Sequence, residues 1–195
     1  AMPVQRQPQT MTIRDARETR VLQDVLVGDV WLCSGQSNMA FRMEQLPNTA
    51  ADVAASANPA LRFFRVAERF AQQPVDEVKG EWRQVSPETV AECSAVAYYF
   101  ARAVQRELDV PVGLLVSSIG GTRIETWMAL GTLKELGAAK NLIEKWQAVP
   151  PAEFERILAE YRAHPHHSYR ERPALVEAAR RKGEPIPPEP KRPAM

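Results

Sequence analysis

An amphipathic helix pattern held between two apolar strand patterns does most to limit what this 195-residue chain can fold into. The first strand pattern is the run Val25-Leu26-Val27-Gly28-Asp29-Val30-Trp31-Leu32, which reads as a buried strand. From Ser94 to Leu108, apolar residues recur at Val96, Phe100, Ala103, Val104 and Leu108, a helical spacing with Ser94 placed as N-cap and Pro111 just beyond the end. Val112-Gly113-Leu114-Leu115-Val116-Ser117 follows as a second buried strand. Strand, helix and strand in that order argue for a parallel sheet covered by helices. Leu61-Arg62-Phe63-Phe64-Arg65-Val66 has strand length and β-favouring residues, and is expected beside the first strand.

The rest of the chain is organised around that unit. Thr10–Arg14 and Thr19–Asp24 read as a hairpin around Asp15-Ala16-Arg17-Glu18. Helices are expected at about Leu130 to Trp146, Ala152 to Ala163 and Pro173 to Lys182, the last stopped by Gly183. The middle one follows Pro150-Pro151 and carries the stripe Phe154, Ile157, Leu158 and Tyr161. After Gly183 the repeated prolines exclude a helix or a central strand. The organisation expected is a β stub over 1–24, an α/β domain over 25–182 and a Pro-rich connector or tail over 183–195.

The chemistry of interest follows the first strand pattern. Gly35-Gln36-Ser37-Asn38-Met39 places a serine hydroxyl on a turn leaving a strand, where backbone N–H groups can face a developing oxyanion. The spacing is not the G-x-S-x-G elbow, because Met39 stands where that motif has glycine. Taken alone, a serine here also reads as an ordinary capping or turn residue.

The wider segment Gly28-Asp29-Val30-Trp31-Leu32-Cys33-Ser34-Gly35-Gln36-Ser37-Asn38-Met39 closely resembles the serine block of the sialate O-acetylesterase family, a branch of the SGNH-type carbohydrate esterases. Gly80-Glu81-Trp82-Arg83 and Ser86-Pro87-Glu88-Thr89 also resemble family segments, so the likeness runs from about Val21 to Met128. It implies a flavodoxin-like, three-layer α/β/α hydrolase fold with a mostly parallel sheet, incomplete in this chain. It also implies that Ser37 is the nucleophile of an O-acetyl ester hydrolase acting on sialic acid or a related sugar. No metal or organic cofactor is implied.

Ser117-Ser118-Ile119-Gly120-Gly121-Thr122-Arg123-Ile124-Glu125-Thr126-Trp127-Met128 follows the second strand and should emerge on the same sheet edge as Ser37. Paired glycines let backbone N–H groups approach a ligand closely, although a Gly-Gly also serves a plain chain reversal. The segment resembles the family's glycine block, which implies an oxyanion hole built from the N–H of Ser37 with that of Gly120 or Gly121. Gln36 and Asn38 are candidates to orient the acyl oxygen, and Asn38 equally reads as a helix cap. Glu125 and Trp127 are further substrate-binding candidates, with Trp127 either stacking on a sugar or filling the core.

One part of the expected machinery is missing. The resembled family completes its site with an Asp-x-x-His pair, in which His is the general base, and no such pair occurs here. The three histidines, His164, His166 and His167, follow a surface-type helix, while Asp109 is the last aspartate. The expectation is therefore that the remaining catalytic segment lies on another chain or a cleaved fragment. A non-catalytic carbohydrate-binding or assembly protein derived from such an esterase is the alternative.

Bulk properties narrow the partners. With 25 Lys and Arg against 24 Asp and Glu there is no whole-chain reason to expect nucleic acid. The basic cluster Arg170, Arg172, Arg180, Arg181, Lys182, Lys191 and Arg192 reads as a solvated face and tail. No apolar run has the length of a membrane span, and no signal-peptide pattern opens the chain, whereas the resemblance favours a secreted or periplasmic protein. Cys33 and Cys93 read as small buried hydrophobes.

Overall fold

The computed structural model describes residues 4–137, 139–163 and 171–187. These fall into two compact units, one of Ala1–Arg69 with Asp76–Trp127, the other of Phe70–Val75 with Met128–Met195. The expected hairpin opens the first unit and is longer than its apolar residues suggest, with β1 over Gln5–Arg14 and β2 over Thr19–Val27 paired antiparallel. Its turn is held by the Asp15 carboxylate, which accepts from the N–H groups of Arg17 and Glu18 at 2.7 and 2.8 Å, an Asx-type turn. Those two bonds favour the ionised form and hold the Asp15 carboxyl below the usual range.

The apolar run of residues 25–32 is not one strand. β2 ends at Val27 and a new strand, β3, spans Asp29–Gly35. Gly28 makes the break possible: a Cβ there would sit 2.1 Å from the Pro111 carbonyl oxygen, which accepts the Asp29 N–H at 2.9 Å. Two further strands, β4 over Asn58–Arg65 and β5 over Trp82–Val85, join β6 over Val112–Ser118 in a four-stranded sheet ordered β3-β6-β4-β5. The β3–β6 and β6–β4 pairs are parallel and only β5 runs antiparallel, which gives the mostly parallel α/β sheet expected.

Two expectations about this sheet need correction. β4 does not lie beside β3, because β6 stands between them. β3 is an edge strand and is largely exposed, with Cys33 buried but Val30, Trp31 and Leu32 between 43% and 70% exposed. An apolar run marks a strand that can be buried on both faces; which neighbours supply that burial is a long-range matter.

The core of this unit lies on one sheet face. Leu61, Phe63, Val112, Leu114, Val116 and Cys33 alternate inward there and pack with Ala97, Tyr98 and Ala101 of α3, the helix Ala95–Leu108. The expected helix is present, but its buried stripe is Ala95, Ala97, Tyr98 and Ala101, while Val96, Phe100, Ala103 and Leu108 are exposed. Small residues at 97 and 101 let the helix approach the sheet and seat Tyr98, so the larger residues turn outward. Ser94 caps the helix, accepting from the Ala97 N–H at 3.3 Å, and the chain leaves it at Asp109 in the left-handed region with φ 51°. Ser94→Ala is expected to cost about 1 kcal/mol, read as a lower denaturant midpoint at unchanged slope.

Two short helices complete the first unit, α1 over Ser37–Ala40 and α2 over Ala50–Ala54. In the second unit the single helix expected from Leu130 to Trp146 is two, α4 over Leu130–Leu136 and α5 over Lys140–Gln147. The break falls at Gly137, which takes φ +65° and donates its N–H to the Lys134 carbonyl. α6 spans Pro151–Ala163, with Phe154 and Leu158 buried, and α7 spans Glu171–Lys182, closed by Gly183 at φ +67°. No described helix is long and apolar enough to cross a membrane.

Candidate active site

Parallel pairing decides what meets at the carboxyl edge of the sheet. β3 and β6 run in register from Asp29 opposite Val112 to Gly35 opposite Ser118, so residues 36–39 and 119–122 leave the sheet side by side. The Ile119 N–H donates to the Gly35 carbonyl at 3.1 Å and ties the two exits together. Gly35 has φ +139°, which an L-residue rarely adopts, and this lets the chain turn at once from β3 into α1.

Ser37 opens α1 and is exposed. A Cβ built on Gly120 would stand 3.7 Å from Ser37 Cα and 3.8 Å from its Cβ, so the two expected site segments are in direct contact. Gly121 follows at φ +76°. The two glycines therefore differ physically. Gly121→Ala should cost about 1–2 kcal/mol through the left-handed backbone, whereas Gly120→Ala should keep the melting temperature, since its new Cβ makes only ordinary contacts. Thermal unfolding of both variants checks this contrast.

The Ser37 hydroxyl donates to Gln36 Oε1 at 2.8 Å. That bond fixes the hydroxyl but does not activate it, because an amide oxygen accepts a hydrogen bond without serving as a base at neutral pH. Gln36 occupies the N-cap position with no side-chain cap bond, and Asn38 lies inside α1, which corrects its reading as a helix cap. Both side chains are exposed beside Ser37. Met39 points inward, and its sulfur receives the Ser94 hydroxyl at 3.4 Å, anchoring α1 to the start of α3.

Glu125 and Trp127 lie in the 3₁₀ turn Ile124–Trp127. Trp127 is half-buried and donates Nε1–H to Thr122 Oγ1 at 2.9 Å, and Thr122 in turn donates to the Ile119 carbonyl at 2.8 Å. It therefore braces the glycine loop and is not a core filler. Glu125 pairs with Arg123 at 3.1 Å, and its carboxyl is held below the usual range first by a backbone hydrogen bond and then by the Arg123 guanidinium.

His164, His166 and His167 lie outside the described residues. Among the described residues no group of three or more His, Cys, Asp or Glu side chains is arranged to hold a metal ion. Cys33 and Cys93 are buried free thiols, as expected of small hydrophobes. Burial pushes the Cys93 thiol up to about 12 and raises that of Cys33, so neither is a competing nucleophile at neutral pH.

One feature of this edge was not anticipated. Arg65 closes β4 and stands two strands from Cys33 through the shared partner Val116, about 10 Å at ordinary strand spacing. Arg42 follows α1 on the same edge. An arginine at the carboxyl end of a strand pattern is only a weak sequence signal for it.

Comparison with known proteins identifies the family. The model of the family described as carbohydrate esterase, sialic acid-specific acetylesterase, matches residues 27–158. The sialate O-acetylesterases of Pongo abelii and Homo sapiens are each 31% identical over 163 residues, which is 79% of this chain and 31% of theirs. A crystal structure of a carbohydrate acetylesterase from Xanthomonas citri superposes with a TM-score of 0.61 at 35% identity, covering 64% of this chain and 29% of that one. The chain thus spans about a third of the length of the curated relatives it matches.

Proposed function

Because the chain belongs to the carbohydrate esterase family of sialic acid-specific acetylesterases, we propose that it carries the nucleophile half of a serine O-acetylesterase acting on sialic acid or a related sugar. Ser37 Oγ attacks the acetyl carbonyl, the carbon becomes tetrahedral, and the oxyanion accepts from the N–H of Ser37 and that of Gly120 or Gly121. A histidine takes the Ser37 proton and returns it to the departing sugar oxygen. Water then attacks the acetyl-enzyme, releasing acetate and restoring the serine. The observation that carries this reading is the contact between the Ser37 turn and Gly120 at the carboxyl edge of two parallel strands.

The general base is proposed to come from another chain or a cleaved fragment. The hydroxyl's hydrogen-bond partner is Gln36, which cannot take its proton. General-base assistance is typically worth about a hundred- to ten-thousandfold, so the chain by itself should release acetate from O-acetylated sialic acid only very slowly. Intact mass and gel analysis beside an acetate-release assay test this directly. Activity should track a second polypeptide species. A single species of this chain's mass with full turnover, lost on replacing His164, His166 and His167 by alanine, would place the base within the chain and overturn the proposal.

A further inference from the structure

Three guanidinium groups converge near the carboxyl end of β4, and their carboxylate partners are shared unevenly. Arg83 pairs with Glu92 at 2.8 Å and with Glu81 at 2.9 Å, and Arg42 pairs with Glu44 at 3.0 Å. Arg65 is left with the far oxygen of Glu92 at 4.0 Å, and its guanidinium donates no hydrogen bond among the described residues. Burial disfavours its charge most, and the nearby Arg42 and Arg83 disfavour it further, though Glu92 and Glu44 work the other way. The side chain is nevertheless about half exposed, so a ligand can reach its planar fork of N–H donors.

Its position links it to Ser37. Along β4, Leu61, Phe63 and Arg65 share one face, the face on which Cys33 and Val116 are buried. α1 stands on that face too, through Met39 against Ser94 and the inner core. Arg65 and Ser37 therefore share both the sheet edge and the side, two strand spacings apart across the sheet, about 10 Å, with Ser37 set further along the chain beyond Cys33.

Resting on the esterase reading above, we propose that Arg65, with Arg42 beside it, is the carboxylate-binding subsite that lets this edge distinguish an acidic sugar from a neutral one. A sugar carboxylate would accept two parallel N–H bonds from the Arg65 fork, while Glu92, itself fixed by Arg83, holds the arginine from behind.

The test follows N-acetylneuraminate, and neutral N-acetylmannosamine as control, by NMR titration and by protection of Ser37 from a fluorophosphonate. N-acetylneuraminate should bind and protect, more weakly at high salt, and the neutral sugar should do neither at equal concentration. Arg65→Gln should weaken binding about 10- to 100-fold, and Arg65→Lys, which keeps the charge but loses the fork, should recover only part of it. Equal binding of the two sugars, or unchanged affinity in a folded Arg65→Gln, would overturn the assignment. If Ser37 does not label at all, the esterase reading fails, and the NMR titration still decides the role of Arg65.

Discussion

Replacing Ser37 with alanine is expected to lower acetate release from O-acetylated sialic acid by about 10³- to 10⁶-fold wherever wild-type turnover is measurable. The size follows from the mechanism: without the oxygen nucleophile, what remains is positioning and oxyanion stabilisation acting on water. Folding should be almost untouched. Ser37 is exposed, and among the described residues its hydroxyl bonds only the neighbouring Gln36 side chain, so the stability change should stay within about 0.5 kcal/mol. A comparable loss of stability and activity in this variant would mean that Ser37 is a structural turn residue. Assay and thermal melt together separate the two.

The largest effect on stability is expected at Gly28. Alanine there would push a methyl carbon to 2.1 Å from the Pro111 carbonyl oxygen and 2.8 Å from its carbonyl carbon, backbone atoms that cannot rotate aside. The same carbonyl accepts the Asp29 N–H, the bond that fixes the start of β3 against the start of β6. Relieving the clash must separate the strands at that end or break that bond, a cost of about 2–4 kcal/mol by overpacking and a lost hydrogen bond. Denaturant unfolding of Gly28→Ala measures it, and a midpoint equal to wild type would show that the two strands are not pinned there. Because the β3–β6 register also sets Ser37 against Gly120, this variant should also slow any reaction at Ser37.

These two positions illustrate what could be read from the residues alone. The adjacency of Ser37 and Gly120 was legible, since both follow apolar strands flanking one helix, and parallel strands bring their carboxyl ends together. The hairpin turn was legible because Asp15 satisfies the turn N–H groups locally. What was not legible depends on partners distant in sequence. The apolar character of Val30 and Leu32 suggests burial, but only the strand order shows that β3 is an edge. Helical spacing in residues 94–108 is compatible with more than one buried stripe, and close packing through Ala97 and Ala101 selects the one carrying Tyr98. The break at Gly137 shows how a single left-handed residue divides a periodic segment. Arg65 was passed over because an arginine at a strand end is unremarkable until its neighbours are seen to be paired elsewhere.

Whether Ser37 is a nucleophile set at an oxyanion-binding edge is decided by treating the purified protein, with any co-purifying polypeptide retained, with a fluorophosphonate and mapping the adduct by peptide mass spectrometry. One covalent phosphonyl adduct on Ser37, absent from Ser37→Ala, is expected. No adduct with the co-purifying species present, or an adduct on another serine that persists in Ser37→Ala, would contradict it.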